Sequence, residues 1–301
     1  MLEKKGSRGG LKIFRVLVAV PVLGLLLLLF LDFTHSFPTV MYRGGEFFQF
    51  LPSLLKFINT FSVAALGWLV VLALTVFFGR VYCSLLCPLG ISFDAMRRLA
   101  PKKIQSLPSF RQGGFLRYGI LVVFLASIAG GYMISINLLD PFSNFGRLVT
   151  DLVRPLVIGA NNGTVHLLEA ADVYTLPPHD LRGYSLPAIG YGIIYLGGIV
   201  FLSLRRGRLY CNTLCPVGTV LGFFSYFSFF KVRIDEKTCT ACGACARVCK
   251  ASCIEHKTKL VDPARCVACM NCLDVCPEDA IAYRSCLTSQ GAGSREENSE
   301  E

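Results

Sequence analysis

Long apolar runs separated by short basic segments dominate the chain, and 53% of its 301 residues are hydrophobic. Four runs have about the ~20 residues that a membrane-spanning helix needs. They cover residues 16–33, 61–78, 118–139 and 186–204. A fifth run, residues 217–230, would reach only ~21 Å as a helix, so we expect it to lie in or near the membrane interface. The pattern predicts a mainly α, polytopic membrane protein with four transmembrane helices.

Basic residues flank these runs and predict the orientation of the chain, whose net charge is +10. Residues 1–15 carry five lysines and arginines, and residues 80–117 carry seven. The two loops on the opposite side are poorer in both. Because lysine and arginine collect on the cytoplasmic side, we expect a multi-pass protein of the bacterial inner membrane with both termini cytoplasmic. A nucleic-acid partner is not expected, since the positive charge flanks apolar runs.

The 14 cysteines cluster in short spacings, which favours metal ligation or redox work over disulfides. A twelve-residue motif occurs at residues 79–90 and again at 207–218, with eight identical positions. Both copies contain Tyr-Cys-x3-Cys-Pro and directly follow an apolar run. The repeat predicts two membrane halves related by a pseudo-two-fold axis, which would place the two motifs side by side.

Four candidate redox cysteines come from this repeat: Cys83, Cys87, Cys211 and Cys215. Four converging thiolates suit a third iron–sulfur cluster, a soft metal such as Cu(I), or a dithiol–disulfide relay. Cysteine also packs as a small apolar side chain, which is the purely structural alternative. The spacing alone leaves these options open.

A second cysteine array, near the C-terminus, has the spacing of a bacterial two-cluster ferredoxin. In that pattern the fourth cysteine of each run ligates the other cluster. Cluster 1 is therefore assigned Cys239, Cys242, Cys245 and Cys276. Cluster 2 is assigned Cys266, Cys269, Cys272 and Cys249. Zinc is the competing interpretation, and eight cysteines in this order fit zinc poorly.

Two positions depart from the ferredoxin pattern. Lys250 follows Cys249 at a position where these motifs usually have proline, and Cys253 adds a thiol four residues after Cys249. We expect Cys253 to be a small core residue, with cluster ligation as the alternative. Gly243 is expected to permit the tight turn between two ligands.

The chain divides into four segments by these features. They are a first membrane half (1–110), a second membrane half (111–230), a small α+β ferredoxin domain with two 4Fe-4S clusters (231–286) and a disordered tail (287–301). Cys286 is expected to be a free thiol just past the ferredoxin domain. In the external loop, Gly159 and residues 161–163 predict turns.

The duplicated Cys-x3-Cys-Pro motif, the four apolar runs and the double-cluster tail together resemble NapH-like ferredoxin-type membrane proteins. These are the quinol dehydrogenase membrane components of periplasmic nitrate reductase systems, and the resemblance covers roughly residues 10–285. It implies two 4Fe-4S clusters and a quinol or quinone substrate. It also implies a redox partner, either a c-type cytochrome or another ferredoxin-type subunit.

The function implied by this resemblance is electron transfer between the quinol pool and that partner, in an anaerobic-type respiratory chain. Two other functions fit the same residues. One is a copper-handling or oxidase and metalloenzyme assembly factor, which uses its clusters to reduce a metal or a disulfide. The other is a non-catalytic electron-transfer scaffold subunit. The direction of electron flow stays open, because cubane potentials span roughly −700 to +450 mV.

Overall fold

The computed structural model describes residues 3–32, 34, 36–62, 65–99, 114–132, 134–170, 172, 174, 177–179 and 185–285. The predicted disordered tail (287–301), Cys286 and residues 100–113 of the linker between the halves lie outside these ranges. The described residues are mainly helical, with a few short strands near the C-terminal end.

Six helices follow one another in the described part of the first half. They are α1 (Glu3–Leu31), α2 (Thr39–Phe47), α3 (Phe50–Thr60), α4 (Gly67–Phe78), α5 (Tyr82–Leu85) and α6 (Pro88–Leu99). The short helices α2 and α3 belong to the connection between the two apolar helices α1 and α4. Helices α5 and α6 carry the first copy of the cysteine motif.

The second half ends with the same order of helices as the first. Its described helices are α7 (Phe115–Ala129), α8 (Ile134–Leu139), α9 (Pro141–Leu148), α10 (Arg154–Glu169), α11 (Leu186–Arg206), α12 (Leu209–Thr213) and α13 (Pro216–Tyr226). A π-helical turn, Val149–Val153, joins α9 to α10. In both halves an apolar helix is followed by a short helix and then by a helix that begins with proline. The sequence repeat is therefore also a structural repeat.

Two helical segments in the described part of the chain are long and apolar enough to cross a membrane, Gly10–Leu31 and Leu186–Arg205. They correspond to the first and fourth predicted spans. The second predicted span is shortened because α4 begins only at Gly67. The third is interrupted after α7 at Gly130 and Gly131, and Gly131 has a φ of +78°. Helices α4 and α7 are apolar but short, so the four-span architecture stays a prediction.

Helix α10 corrects the turns predicted at Gly159 and residues 161–163. It runs without a break through all of these positions. The side chain of Asn162 donates to the carbonyl of His179 (2.7 Å) and accepts from its amide (2.9 Å). The turn prediction was wrong because this asparagine holds a distant segment instead of its own backbone.

The C-terminal segment contains two short helices and four strands among its described residues. They are β1 (Phe230–Ile234), α14 (Ala244–Val248), β2 (Ile254–Glu255), β3 (Leu260–Val261), α15 (Asn271–Asp274) and β4 (Ile281–Ser285). Strands β1 and β4 pair antiparallel, as do β2 and β3. The β1–β4 pair joins the two ends of the segment.

One buried core connects this segment with the helices. It includes Val71 of α4, Leu89 of α6 and Leu221 of α13, and it continues to Val267 and Ile281. Each of these side chains is at most 2% exposed. The C-terminal segment is therefore packed against the ends of the repeated helices.

Candidate metal centres

One cavity in the C-terminal segment is lined by four cysteines from its two ends. They are Cys239, Cys242, Cys245 and Cys276, the residues assigned to cluster 1 from their spacing. The first three follow β1 and lead into α14, whereas the fourth precedes β4. The β1–β4 pairing thus brings distant parts of the chain together around the cavity. Cys242 is exposed, so this cavity opens at the protein surface.

A second cavity is lined by five cysteines. Four of them, Cys249, Cys266, Cys269 and Cys272, were assigned to cluster 2, and the fifth is Cys253. Cys249, Cys253, Cys269 and Cys272 are buried, so this cavity lies deeper in the protein than the first. The grouping agrees with the spacing argument, while the ligation itself stays a prediction for both cavities.

The backbone between the ligands has the same unusual shape in both cysteine runs. The residues on either side of the second cysteine are left-handed: Ala241 (φ 54°) and Gly243 (φ 73°) in one run, Ala268 (φ 48°) and Met270 (φ 60°) in the other. Such conformations are uncommon outside glycine and persist where the surroundings require them. Successive amides turned in this way form a concave anion-binding surface. That surface suits a negatively charged iron–sulfur cluster.

The two kinds of metal centre place different demands on the thiols. A structural zinc ion needs its sulfur ligands at about 2.3 Å from one point. Among the described residues, no three Cys, His, Asp or Glu side chains converge closely enough to hold a single ion. A cubane instead binds each cysteine to a different iron, which spreads the sulfurs around the cavity. Eight cysteines grouped around two cavities fit two iron–sulfur clusters.

The cysteines of the repeat lie in the common core. Cys83 is in α5 and Cys211 is in α12, while Cys87 and Cys215 each precede the proline that begins the next helix. All four are 5–6% exposed. All four also belong to one buried cluster of side chains, so the thiols of the two halves share the same core.

Two buried arginines cross between the copies of the motif. Arg80 of the first copy donates to the carbonyl of Cys211 (3.0 Å), and Arg208 of the second donates to the carbonyl of Cys83 (2.6 Å). Each arginine is only 1% exposed. Leaving a buried carbonyl without its donor costs about 1–3 kcal/mol. This reciprocal exchange fits a pseudo-two-fold relation between the motifs and fixes their separation.

The last glycine of each motif permits a close approach. A Cβ atom on Gly90 would lie 2.3 Å from the carbonyl oxygen of Cys83, and one on Gly218 would lie 2.1 Å from that of Cys211. Real Cβ atoms essentially never come nearer than 3.0 Å to a non-bonded heavy atom. In each half, the helix that begins at the proline of the motif therefore packs directly on the backbone of the first cysteine.

The second cavity is held against both copies of the motif. Arg80 donates to the carbonyl of Ala264 (2.9 Å), two residues before Cys266. Asn212 donates to the carbonyl of Ala251 (3.2 Å), two residues after Cys249. Each half therefore forms a hydrogen bond with one of the two chain segments that carry the cluster 2 cysteines.

Asp94 of α6 joins four parts of the molecule. Its carboxylate pairs with Arg15 of α1 (2.9 Å), Arg208 (2.8 Å) and Lys250 (3.1 Å). Burial alone would raise the pKa of Asp94, but these cations hold it well below its usual range. The lysine that replaces the usual proline after Cys249 is thus an anchor for the C-terminal segment. The sequence gives no signal for this cluster, because the three partners of Asp94 are distant along the chain.

Comparison with known proteins agrees with this geometry. A family described as a 4Fe-4S binding domain matches residues 61–106 and 189–235, which contain the two motif copies. A second 4Fe-4S binding domain matches residues 259–282. The chain therefore contains segments that match 4Fe-4S binding domains in both halves and near its C-terminal end.

Several curated proteins are similar to the chain at low identity. The ferredoxin-type protein NapH of Haemophilus influenzae is 24% identical over 60% of this chain and 51% of its own length. The methylamine utilization ferredoxin-type protein MauN of Paracoccus denitrificans is 26% identical over 57% and 48%. An uncharacterized protein of Methanocaldococcus jannaschii is 22% identical over 57% and 51%.

The chain spans about half the length of these three relatives. No solved structure matches it significantly. The cysteine cavities, the matched domains and these relatives agree in making the chain similar to ferredoxin-type proteins such as NapH and MauN.

Proposed function

We propose that this protein is a membrane-bound electron-transfer component that passes electrons between the quinol pool and a redox partner. The observation that carries the proposal is the attachment of the second cysteine cavity to both repeats through Arg80 and Asn212. We infer a route that runs from the repeat cysteines through the buried cavity to the exposed cavity. This route would lead from the apolar helices to the surface at Cys242.

The two-cluster assignment supplies the second half of this route. When bound, 4Fe-4S clusters supply one-electron transfer, which lets a two-electron quinol oxidation proceed in single steps. The buried cysteines of the second cavity would hold one cluster away from water. The exposed Cys242 would hold the other where a partner can approach. A c-type cytochrome or another ferredoxin-type subunit is the proposed partner.

A third cluster at Cys83, Cys87, Cys211 and Cys215 would begin the route. Its support is that the match to a 4Fe-4S binding family covers both motif copies. The crossed arginines add positive charge beside these thiols, which favours an anionic group. Cu(I) or a dithiol–disulfide relay remains the alternative occupant of this site, and copper there would favour the assembly-factor function.

Iron analysis tests the cluster assignment. Protein purified without oxygen is expected to contain about eight irons per chain if only the tail is loaded, and about twelve with the third cluster. Removal of iron by a chelator should unfold the C-terminal segment, because the two cavities interrupt its core. A preparation rich in zinc or copper and free of iron would contradict the assignment.

The proposed orientation places the C-terminal segment and the N-terminus on the same, cytoplasmic side. Lys12 pairs with Asp274 of α15 (2.7 Å), and Arg15 pairs with Asp94 (2.9 Å). The basic start of α1 therefore lies beside the proposed ferredoxin domain, as the distribution of lysine and arginine requires.

Reporter fusions test this orientation. A fusion at residue 160 should be active outside the cytoplasm, whereas fusions at residue 100 and at the C-terminus should be active inside it. A C-terminal fusion that is active on the periplasmic side would reverse the topology and contradict the proposed route.

A further inference from the structure

Cys253 is a buried thiol to which the proposed electron route assigns no role. It is 2% exposed and lines the second cavity together with the four proposed ligands. Its Sγ lies 3.4 Å from the Sγ of Cys249, within hydrogen-bonding distance for sulfur. Cys253 therefore contacts the proposed cluster 2 ligand Cys249 and lines the same cavity as the three ligands of the other cysteine run.

The local backbone fixes the thiol in this position. Ser252 adopts a left-handed conformation (φ 50°), which turns the chain after Cys249. The amide of Cys253 then points at the Cys249 sulfur at 3.5 Å. Strand β2 begins with the next residue, and its pairing with β3 prevents the turn from opening. A residue that only filled the core would not need its thiol and its amide to contact the sulfur of a proposed ligand.

We propose that Cys253 is a positioning residue whose S–H group donates a hydrogen bond to the sulfur of Cys249, a ligand of cluster 2. Thiolate ligands only accept, so the neutral thiol is the donor of the pair. The potential of an iron–sulfur cluster depends on hydrogen bonds to its sulfurs. The reduced cluster carries one more negative charge, and a donor stabilises it more than the oxidised one. Cys253 thus raises the potential of cluster 2 relative to cluster 1.

This inference rests on the proposed two-cluster assignment and predicts a specific difference among three variants of the full-length protein. Cys253→Val keeps a similar volume without a donor, Cys253→Ala removes the thiol and leaves a methyl group, and Cys253→Ser keeps a donor. All three should retain the wild-type iron content. In redox titrations followed by EPR, the valine and alanine variants should lower the midpoint potential of cluster 2. The expected change is about tenfold in the reduction equilibrium, ~59 mV for one electron.

The serine variant should stay closer to the wild type than the valine variant, and cluster 1 should be unchanged in all three. Pulsed EPR after exchange into deuterated buffer should detect an exchangeable proton near cluster 2 that the valine variant lacks. An unchanged potential in a valine variant that holds both clusters would overturn the inference alone. Wild-type protein with a single tail cluster would overturn the two-cluster assignment as well.

The variants would behave differently if Cys253, and not Cys249, were a ligand of the cluster. If Cys253 were itself the fourth ligand of cluster 2, Cys253→Ala would lose one cluster and Cys249→Ala would keep both. The proposed donor role requires the opposite result, with the cluster lost only in Cys249→Ala. Iron content and the EPR signal of each cluster distinguish the two cases without an activity assay.

Discussion

Cys83→Ser and Cys211→Ser should each abolish the reduction of the tail clusters by a quinol, while their reduction by dithionite should survive. Serine keeps the size of the side chain but is a much poorer ligand for soft metals and has no disulfide chemistry. The two cysteines lie in matching helices and their motifs hold each other through Arg80 and Arg208. Because one site would use both halves, each single variant should be nearly as damaged as the double variant.

The comparison uses purified protein in lipid nanodiscs, with electron flow from a quinol analogue to an added acceptor as the measurement. Cys286→Ser serves as the control, because that thiol belongs to none of the three proposed ligand sets. Its rate should match the wild type. If Cys83→Ser and Cys211→Ser also kept the wild-type rate, the duplicated motif would be structural and the first step of the route would be wrong.

Gly90→Ala and Gly218→Ala should each disturb the repeat site strongly. The added Cβ would overlap the carbonyl oxygen of Cys83 or Cys211, at 2.3 Å and 2.1 Å. Helices α6 and α13 would have to move away from the cysteine backbone. Overpacking of this kind typically costs about 1–3 kcal/mol. We expect a lower unfolding temperature and, if a third cluster is present, the loss of about four irons per chain.

Gly197→Ala in α11 is the matched control. A Cβ atom at Gly197 would meet nothing within 4 Å, and alanine in a helix is more favourable than glycine by about 1 kcal/mol. This variant should be at least as stable as the wild type and keep its iron. Equal unfolding temperatures and iron contents for Gly218→Ala and Gly197→Ala would show that the close approach at the motif is not needed.

The apolar pattern predicted the helices better than their ends. The first and fourth runs correspond to α1 and α11, which are both long and apolar enough to cross a membrane. The third run reads as continuous, yet the chain breaks at Gly130 and Gly131. A single glycine pair is tolerated in many helices, so its effect depends on packing that the sequence does not reveal.

The grouping of the cysteines could be predicted because ligand spacing is a local property. The backbone conformation of the residues between the ligands could not be predicted in this way. Ala241, Ala268 and Met270 adopt left-handed conformations, although alanine and methionine carry no turn signal. Only Gly243 was recognisable in advance. The surrounding fold, and the cluster that would fill it, fix the other three.

The contacts between segments were also beyond sequence reasoning. The carboxylate of Asp94 accepts hydrogen bonds from Arg15, 79 residues away in the chain, and from Arg208, 114 residues away. No periodic pattern in the sequence predicts such pairs. The duplication did predict that the two motifs would meet, and the crossed hydrogen bonds of Arg80 and Arg208 agree with that prediction.

Reduction of the wild-type protein by a quinol tests the central claim most directly. Anaerobic protein in nanodiscs would be mixed with a menaquinol or ubiquinol analogue, and the tail clusters would be followed by EPR. We predict that the quinol reduces them, and that a matched hydroquinone too polar to enter the membrane reduces them much more slowly. If dithionite reduced the clusters fully but neither quinol analogue reduced them at all, the protein would not exchange electrons with the quinol pool.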